Sequence, residues 1–228
     1  MSDQTPIEAG EIESLRDTLE AALRGEAESA VPCGPCTACC TASQFIHVGP
    51  DETATLAKIP RALRFSAPGL PRGHVVLPYD EDGRCPMLRE GRCSIYDVRP
   101  RTCRVYDCRL YAASGLAARH EDRTIALRAS RWTFRASQRG EAICEALARA
   151  VRFLETHRDV LGPDRVPARV SALGPVALSV HRAFLETRGD LLVVVTPSID
   201  EVRALLQRGI SPPRGTRARA RSRGRSTT

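Results

Sequence analysis

Cys33-Gly34-Pro35-Cys36-Thr37-Ala38-Cys39-Cys40 is the stretch on which the reading of this chain turns. Four further cysteines follow at Cys85, Cys93, Cys103 and Cys108, so eight of the nine in the chain fall within residues 33–108. Such crowding marks either a disulfide framework or a metal site, and the redox compartment decides between them. The first thirty residues carry Asp3, Glu8, Glu11, Glu13, Asp17, Glu20, Glu26 and Glu28 and no continuous apolar core. A secretory signal needs a basic start and an apolar run of roughly 7–15 residues. No apolar run approaches the ~18 residues of a membrane span. The expectation is a cytoplasmic protein, not in a membrane, whose thiols stay reduced and bind zinc or iron–sulfur. A disulfide scaffold is disfavoured because those are mostly short secreted chains.

The spacing carries the chemistry. A two-residue gap lets two thiolates converge on one ion while the intervening N–H groups point at sulfur. The first three cysteines match the opening of the bacterial ferredoxin run, C-x2-C-x2-C-x3-C-P. The match then fails, because Cys40 follows Cys39 directly. Adjacent cysteines reach one small ion only with backbone distortion. They serve two metals, or one of them lies outside the ligand set. Metal binding deprotonates the thiols and folds the lobe in one step, a coupling of about 10–16 kcal/mol in zinc-finger peptides. Between Arg84 and Arg109 stand seven arginines and three acids, Glu90, Asp97 and Asp107. Those arginines would neutralise an anionic thiolate site and donate to sulfur. The competing reading is solvated arginine from biased coding, since Lys58 is the only lysine among the 34 basic residues.

Working outward, Pro6–Arg24 reads as a helix, with Thr5 as cap and Ile12, Leu15, Leu19, Ala22 and Leu23 on one face. Gln44–Val48 reads as a short strand, Pro50–Ile59 as a short helix, 60–74 as loop and Val75–Leu77 as a strand. Turn signals at 80–83 and 90–91 predict a small hairpin carrying Cys85 and Cys93. Ile95–Arg99 forms a helical turn stopped by Pro100. Asp122–Phe134 fits a helix, although Ile125 and Leu127 alternate as in a strand. Ser137 caps a stronger helix to about Arg158, with Ile143, Leu147, Val151 and Leu154 as its stripe. Gly174–Glu186 is a further helix, Leu191–Val195 a buried strand or apolar helix edge, and Ser198–Arg208 a helix with a Ser198/Glu201 capping box.

The fold expected is α+β and mainly α-helical. A small irregular Cys-rich lobe with a short hairpin packs on C-terminal helices. The organisation is an N-terminal helix in 1–30, a cysteine-cluster metal-binding region in 31–110, a helical region of the same domain in 111–208, and an arginine-rich disordered tail in 209–228. Arg208–Thr228 holds seven arginines and no acid. Removing them leaves 27 basic residues against 27 acidic ones, so the net charge of +7 belongs to the tail.

Cys33-x2-Cys36-x2-Cys39-Cys40, then Cys85-Pro86-Met87-Leu88 and Gly91-Arg92-Cys93-Ser94-Ile95-Tyr96-Asp97-Val98-Arg99-Pro100-Arg101-Thr102-Cys103-Arg104, resembles the YkgJ-type cysteine-cluster family of bacterial CxxCxxCC zinc- or iron-chelating domains. The resemblance covers roughly Val31–Arg109. It implies metal-ligand roles for Cys33, Cys36, Cys39, Cys40, Cys85, Cys93, Cys103 and Cys108, supported by Tyr96, Arg99, Pro100 and Arg104. Relatives often carry Phe-Pro near the last cysteine, where this chain has Val105-Tyr106-Asp107-Cys108, which makes Cys108 the least secure ligand of the eight. Some relatives resemble flagellin lysine N-methylases. This chain has no glycine motif for S-adenosylmethionine, and that activity is not carried over.

Other residues are weaker candidates. Cys144 sits on the apolar stripe of a helix and reads as a small core residue. His47 and His74 lie near the cysteines but read first as structural groups, and His120, His157 and His181 more so. Arg128, Arg131, Arg135 and Arg139 would share a face with Trp132 nearby if one helix ran through them, and a solvated face is favoured over nucleic-acid contact. No catalytic motif is present, so the chain reads as an enzyme only through an iron–sulfur oxidoreductase-like step. Two functions remain open. One is a cluster-binding protein in redox or metal handling with an unidentified redox or protein partner. The other is a structural-zinc adaptor whose arginine tail contacts nucleic acid or an acidic partner.

Overall fold

The computed structural model describes residues 5–29, 31 and 33–208. The arginine-rich tail, expected to be disordered, lies outside them. The described chain is α+β and mainly helical, as expected.

The N-terminal expectation needs correction. Ile7–Gly10 is a strand, β1, and the helix α1 begins only at Ile12 and runs to Arg24. β1 pairs in parallel with β7 (Trp132–Phe134), placing Ile7 opposite Trp132. Arg135 N–H donates to Gly10 O at 3.1 Å, and Gly10 has a φ of +87°, a turn that glycine takes without strain. A partner more than a hundred residues away satisfies this backbone, so local periodicity could not reveal it. α1 buries Ile12, Leu15, Leu19 and Ala22 as its pattern predicts, and Gly25 closes it in the left-handed conformation.

The middle of the chain is short elements. β2 (Ile46–Val48) pairs with β4 (Val75–Leu77), and β3 (Phe65–Ser66) adds on β4's other edge. The helix α2 (Thr53–Lys58) lies between β2 and β3. β5 (Leu88–Arg89) and β6 (Arg92–Cys93) form the predicted hairpin around Glu90-Gly91, both at positive φ (49° and 74°). That pairing defines a two-residue turn whose twist matches the strands. Cys93 is on the hairpin, whereas Cys85 stands upstream of it. Tyr96–Val98 is the expected helical turn, and α3 (Arg101–Val105) and α4 (Arg109–Ala113) follow. Ile46, Val48, Ile59, Leu77, Met87 and Ile95 form this lobe's small core, with Cys85, Cys93 and Cys103 packed on it.

In the segment 122–134, Ile125 and Leu127, whose alternation also fitted a strand, lie in a helix, and the helix ends earlier than expected. α5 (Arg123–Ala129) is capped by Asp122, which accepts from Thr124 N at 2.8 Å and Ile125 N at 3.0 Å, and the chain then extends as β7. This break removes the shared arginine face. Arg128 instead lies over the Trp132 ring, Arg131 Nε donates to Thr5 O, and Arg135 pairs with Glu8. α6 (Gln138–Thr156) is capped by Ser137, whose hydroxyl accepts from Gly140 N at 2.9 Å. α7 (Arg158–Leu161) continues beyond it.

α8 is Val170–Val180 rather than Gly174–Glu186, so Pro175 sits inside it instead of in its first turn. A mid-helix proline leaves the carbonyl four residues back without its usual donor. That carbonyl, Ser171 O, accepts from Tyr111 Oη at 3.2 Å instead. β8 (Leu185–Arg188) and β9 (Leu191–Val194) form a hairpin, β9 being half-exposed rather than buried. α9 (Ile199–Arg208) has the predicted box, with Ser198 N donating to Glu201 and Glu201 N to Ser198 Oγ. The main core joins α5, α6, α8 and α9, and α1 packs on α4, α6 and α8 through a second cluster. Among the described residues no helix is long and apolar enough to cross a membrane.

Candidate metal centre

Five short stretches of chain bring the thiols to a common cavity. Cys36 N donates to Cys33 O at 3.0 Å, which curls the first cysteine pair into a turn, and Cys39 and Cys40 follow on the short 3-10 turn Ala38–Thr41. Cys85 N then donates to Cys40 O at 2.7 Å, which docks the second segment on the first. Cys93 comes from β6, Cys103 from α3, and Cys108 immediately precedes α4.

All eight line one cavity of about 430 Å³. Phe45, Ile46, Tyr96, Arg92, Arg99 and Tyr106 contribute to the same wall. All nine cysteines, including Cys144 on α6, are free thiols. His47 and His74 are not in the wall. They hydrogen-bond to each other at 2.9 Å instead. Cys144 packs against the α1 cluster, away from the cavity.

Burial dominates the electrostatics. It pushes the thiols of Cys33 and Cys85 up, and those of Cys103 and Cys108 up to about 12. Cys39 is raised first by its hydrogen bond to Cys40 and then by burial. In the absence of a cation these thiols therefore keep their protons, since crowded anions in a partly dry cavity are unfavourable. Most arginines of the 84–109 segment are engaged elsewhere. Arg84 pairs with Asp82, Arg104 with Glu28 and Arg109 with Asp107, and Arg101 donates to Gly25 O. Arg92 and Arg99 do reach the cavity, Arg99 lying 3.8 Å from the centre of the Tyr96 ring.

Three features escaped the sequence reading. Asp107 is fully buried and accepts from Arg109 Nη2 at 2.6 Å and Nε at 3.0 Å and from the Ser29 hydroxyl, while Arg109 Nη1 donates to Ala9 O at 3.3 Å. The pair ties β1 and the end of the first segment to the cysteine wall. Trp132 Nε1 donates to Cys108 Sγ at 3.1 Å. The Tyr106 hydroxyl is buried at the cavity, where its ring tilts against that of Tyr111 with centroids 6.2 Å apart. Only the departure at Tyr106-Asp107 from the related pattern hinted at any of these.

Among the described residues no group of three or more Cys, His, Asp or Glu side chains stands ready to hold one ion. The donor set nevertheless suits a metal–sulfur group. Soft thiols face a common space, and Arg92, Arg99 and Arg128 line it as well.

The comparisons agree with that chemistry. Residues 32–126 match the CxxCxxCC family model, described as "Putative zinc- or iron-chelating domain". Neither the curated proteins nor the solved structures contain a significant match. The matched span includes every cysteine of the cavity and ends before Trp132. Residues 32–126 of this chain are thus similar to the CxxCxxCC family of zinc- or iron-chelating domains.

Proposed function

We propose that the eight cysteines hold a polynuclear metal–thiolate centre, iron–sulfur in preference to a lone zinc, and that the protein works in electron transfer or metal handling in the cytoplasm. The observation that carries this reading is the single cavity of about 430 Å³ lined by eight thiols. One tetrahedral zinc takes four ligands. Eight on a shared wall exceed that need. A bound iron–sulfur group would supply one-electron chemistry at a potential set by its surroundings.

The chain's own residues have separable tasks. Cys33, Cys36, Cys39 and Cys40 contribute to the lining from the first cysteine segment, and Cys85, Cys93, Cys103 and Cys108 from the later ones. Arg92 and Arg99 offset anionic charge at the wall. Phe45, Ile46 and Met87 keep much of the lining apolar, which limits water and strengthens each electrostatic contact. In this reading residues 31–110 are the metal-dependent lobe and 111–208 the helical scaffold that steadies it.

Anaerobic purification with optical spectroscopy tests the proposal. The expected protein is brown, with absorption bleached by dithionite and with iron and acid-labile sulfide present. A colourless protein holding stoichiometric zinc would replace the iron–sulfur reading with the structural-zinc one.

A further inference from the structure

Trp132 is the chain's one tryptophan and is 5% exposed. An indole N–H can only donate, and when buried it normally finds a carbonyl or carboxylate. Here its partner is sulfur, Cys108 Sγ at 3.1 Å. A neutral thiol accepts weakly and a thiolate strongly, so this contact is worth most when Cys108 is anionic.

Both partners are held from behind. Trp132 stands opposite Ile7 in the β1–β7 pairing. The Arg128 guanidinium lies 4.6 Å from the centre of its ring, and Arg128 Nη2 reaches Cys33 O at 3.4 Å. On the other side, the Asp107 carboxylate accepts from Arg109 N at 3.0 Å and fixes the backbone around Cys108. One tryptophan and one arginine from beyond or near the end of the 32–126 span thus touch the first and last cysteines of the cavity.

We infer that Trp132 is a positioning residue for the metal centre. Its N–H holds the Cys108 sulfur on the cavity wall and stabilises the metal-bound thiolate. The inference rests on the metal-binding reading above and adds two things to it. Cys108 becomes a working ligand, although its sequence context makes it the least secure. The functional unit also extends past the matched domain to the β1–β7 pair. A direct consequence is that emission from this single indole reports on occupancy of the centre, because the ring lies against a ligand sulfur.

The test uses Co2+ as a spectroscopic probe under anaerobic conditions, with the full chain in three forms: wild type, Trp132→Phe, and a form with benzothienylalanine at 132. The last keeps the shape of the indole and lacks only the N–H. In wild type, Co2+ should produce thiolate-to-metal charge-transfer absorption and quench Trp132 fluorescence in parallel. Loss of the N–H should weaken Co2+ binding by about tenfold, the lower end of the effect of ligand-supporting groups. It should also move the charge-transfer band to longer wavelength, because the sulfur lone pair is no longer stabilised. A merely structural role predicts that the benzothienylalanine protein matches wild type in both readouts, and that result overturns the inference alone. A wild-type protein without any charge-transfer band would remove the metal reading itself.

Discussion

Replacing Asp107 with alanine isolates the device that anchors the cysteine wall to the rest of the molecule. The Asp107 side chain is fully buried, and Arg109 beside it is only 11% exposed. The carboxylate accepts from the Arg109 guanidinium, the Arg109 backbone N–H and the Ser29 hydroxyl. Its loss leaves a guanidinium with little access to water and without its counter-charge. Breaking a buried pair from one side typically costs about 3–5 kcal/mol. For a domain of this size 1 kcal/mol shifts the midpoint by roughly 2–4 °C, so Asp107→Ala should lower Tm by about 6–20 °C. The assay is thermal unfolding followed by circular dichroism, comparing samples at equal metal content because bound metal itself stabilises. Asp107→Leu combined with Arg109→Met should recover much of the loss, since an apolar pair of similar volume removes the stranded charge. A single variant within about 1 kcal/mol of wild type, converted from its midpoint by the same relation, would refute the argument that this pair is a buried anchor.

Cys33→Ser and Cys36→Ser should each strip metal, measured by elemental analysis, whereas Cys144→Ser should leave metal content unchanged because Cys144 packs on the α1 cluster. His181 is fully buried, and burial lowers its pKa from 6.5. The unfolded chain therefore binds a proton more readily than the folded one, and this contribution to stability is present above pH 6.5 and lost as pH falls below it. Urea midpoints should drop between pH 7 and 5, and His181→Phe should flatten that slope. Tyr111→Phe removes the donor that satisfies Ser171 O behind Pro175, for a loss of about 1–3 kcal/mol in denaturant unfolding. The same change made with Pro175→Ala should cost less, because alanine restores the helical N–H.

What could be read from sequence was local. The Ser137 cap of α6 and the Ser198/Glu201 box of α9 use residues three positions apart, and both stand where the pattern placed them. The Glu90-Gly91 turn was legible for the same reason. β1 and β7 were not, because each is satisfied only by the other across more than a hundred residues. The start of α8 was misplaced because proline usually marks a first turn. Here a tyrosine from α4 makes an interior proline tolerable. In the site, the residue type announced its own chemistry, so all eight cysteines of the cavity were named in advance. The supporting groups were not, since tryptophan, aspartate and arginine carry no metal signature until the fold sets them against sulfur.

Iron, zinc and acid-labile sulfide analysis of anaerobically purified full-length protein tests the central claim most directly. The account predicts iron with comparable sulfide, lost together on substituting Cys33 or Cys36. A fully folded protein containing neither iron nor zinc would contradict it.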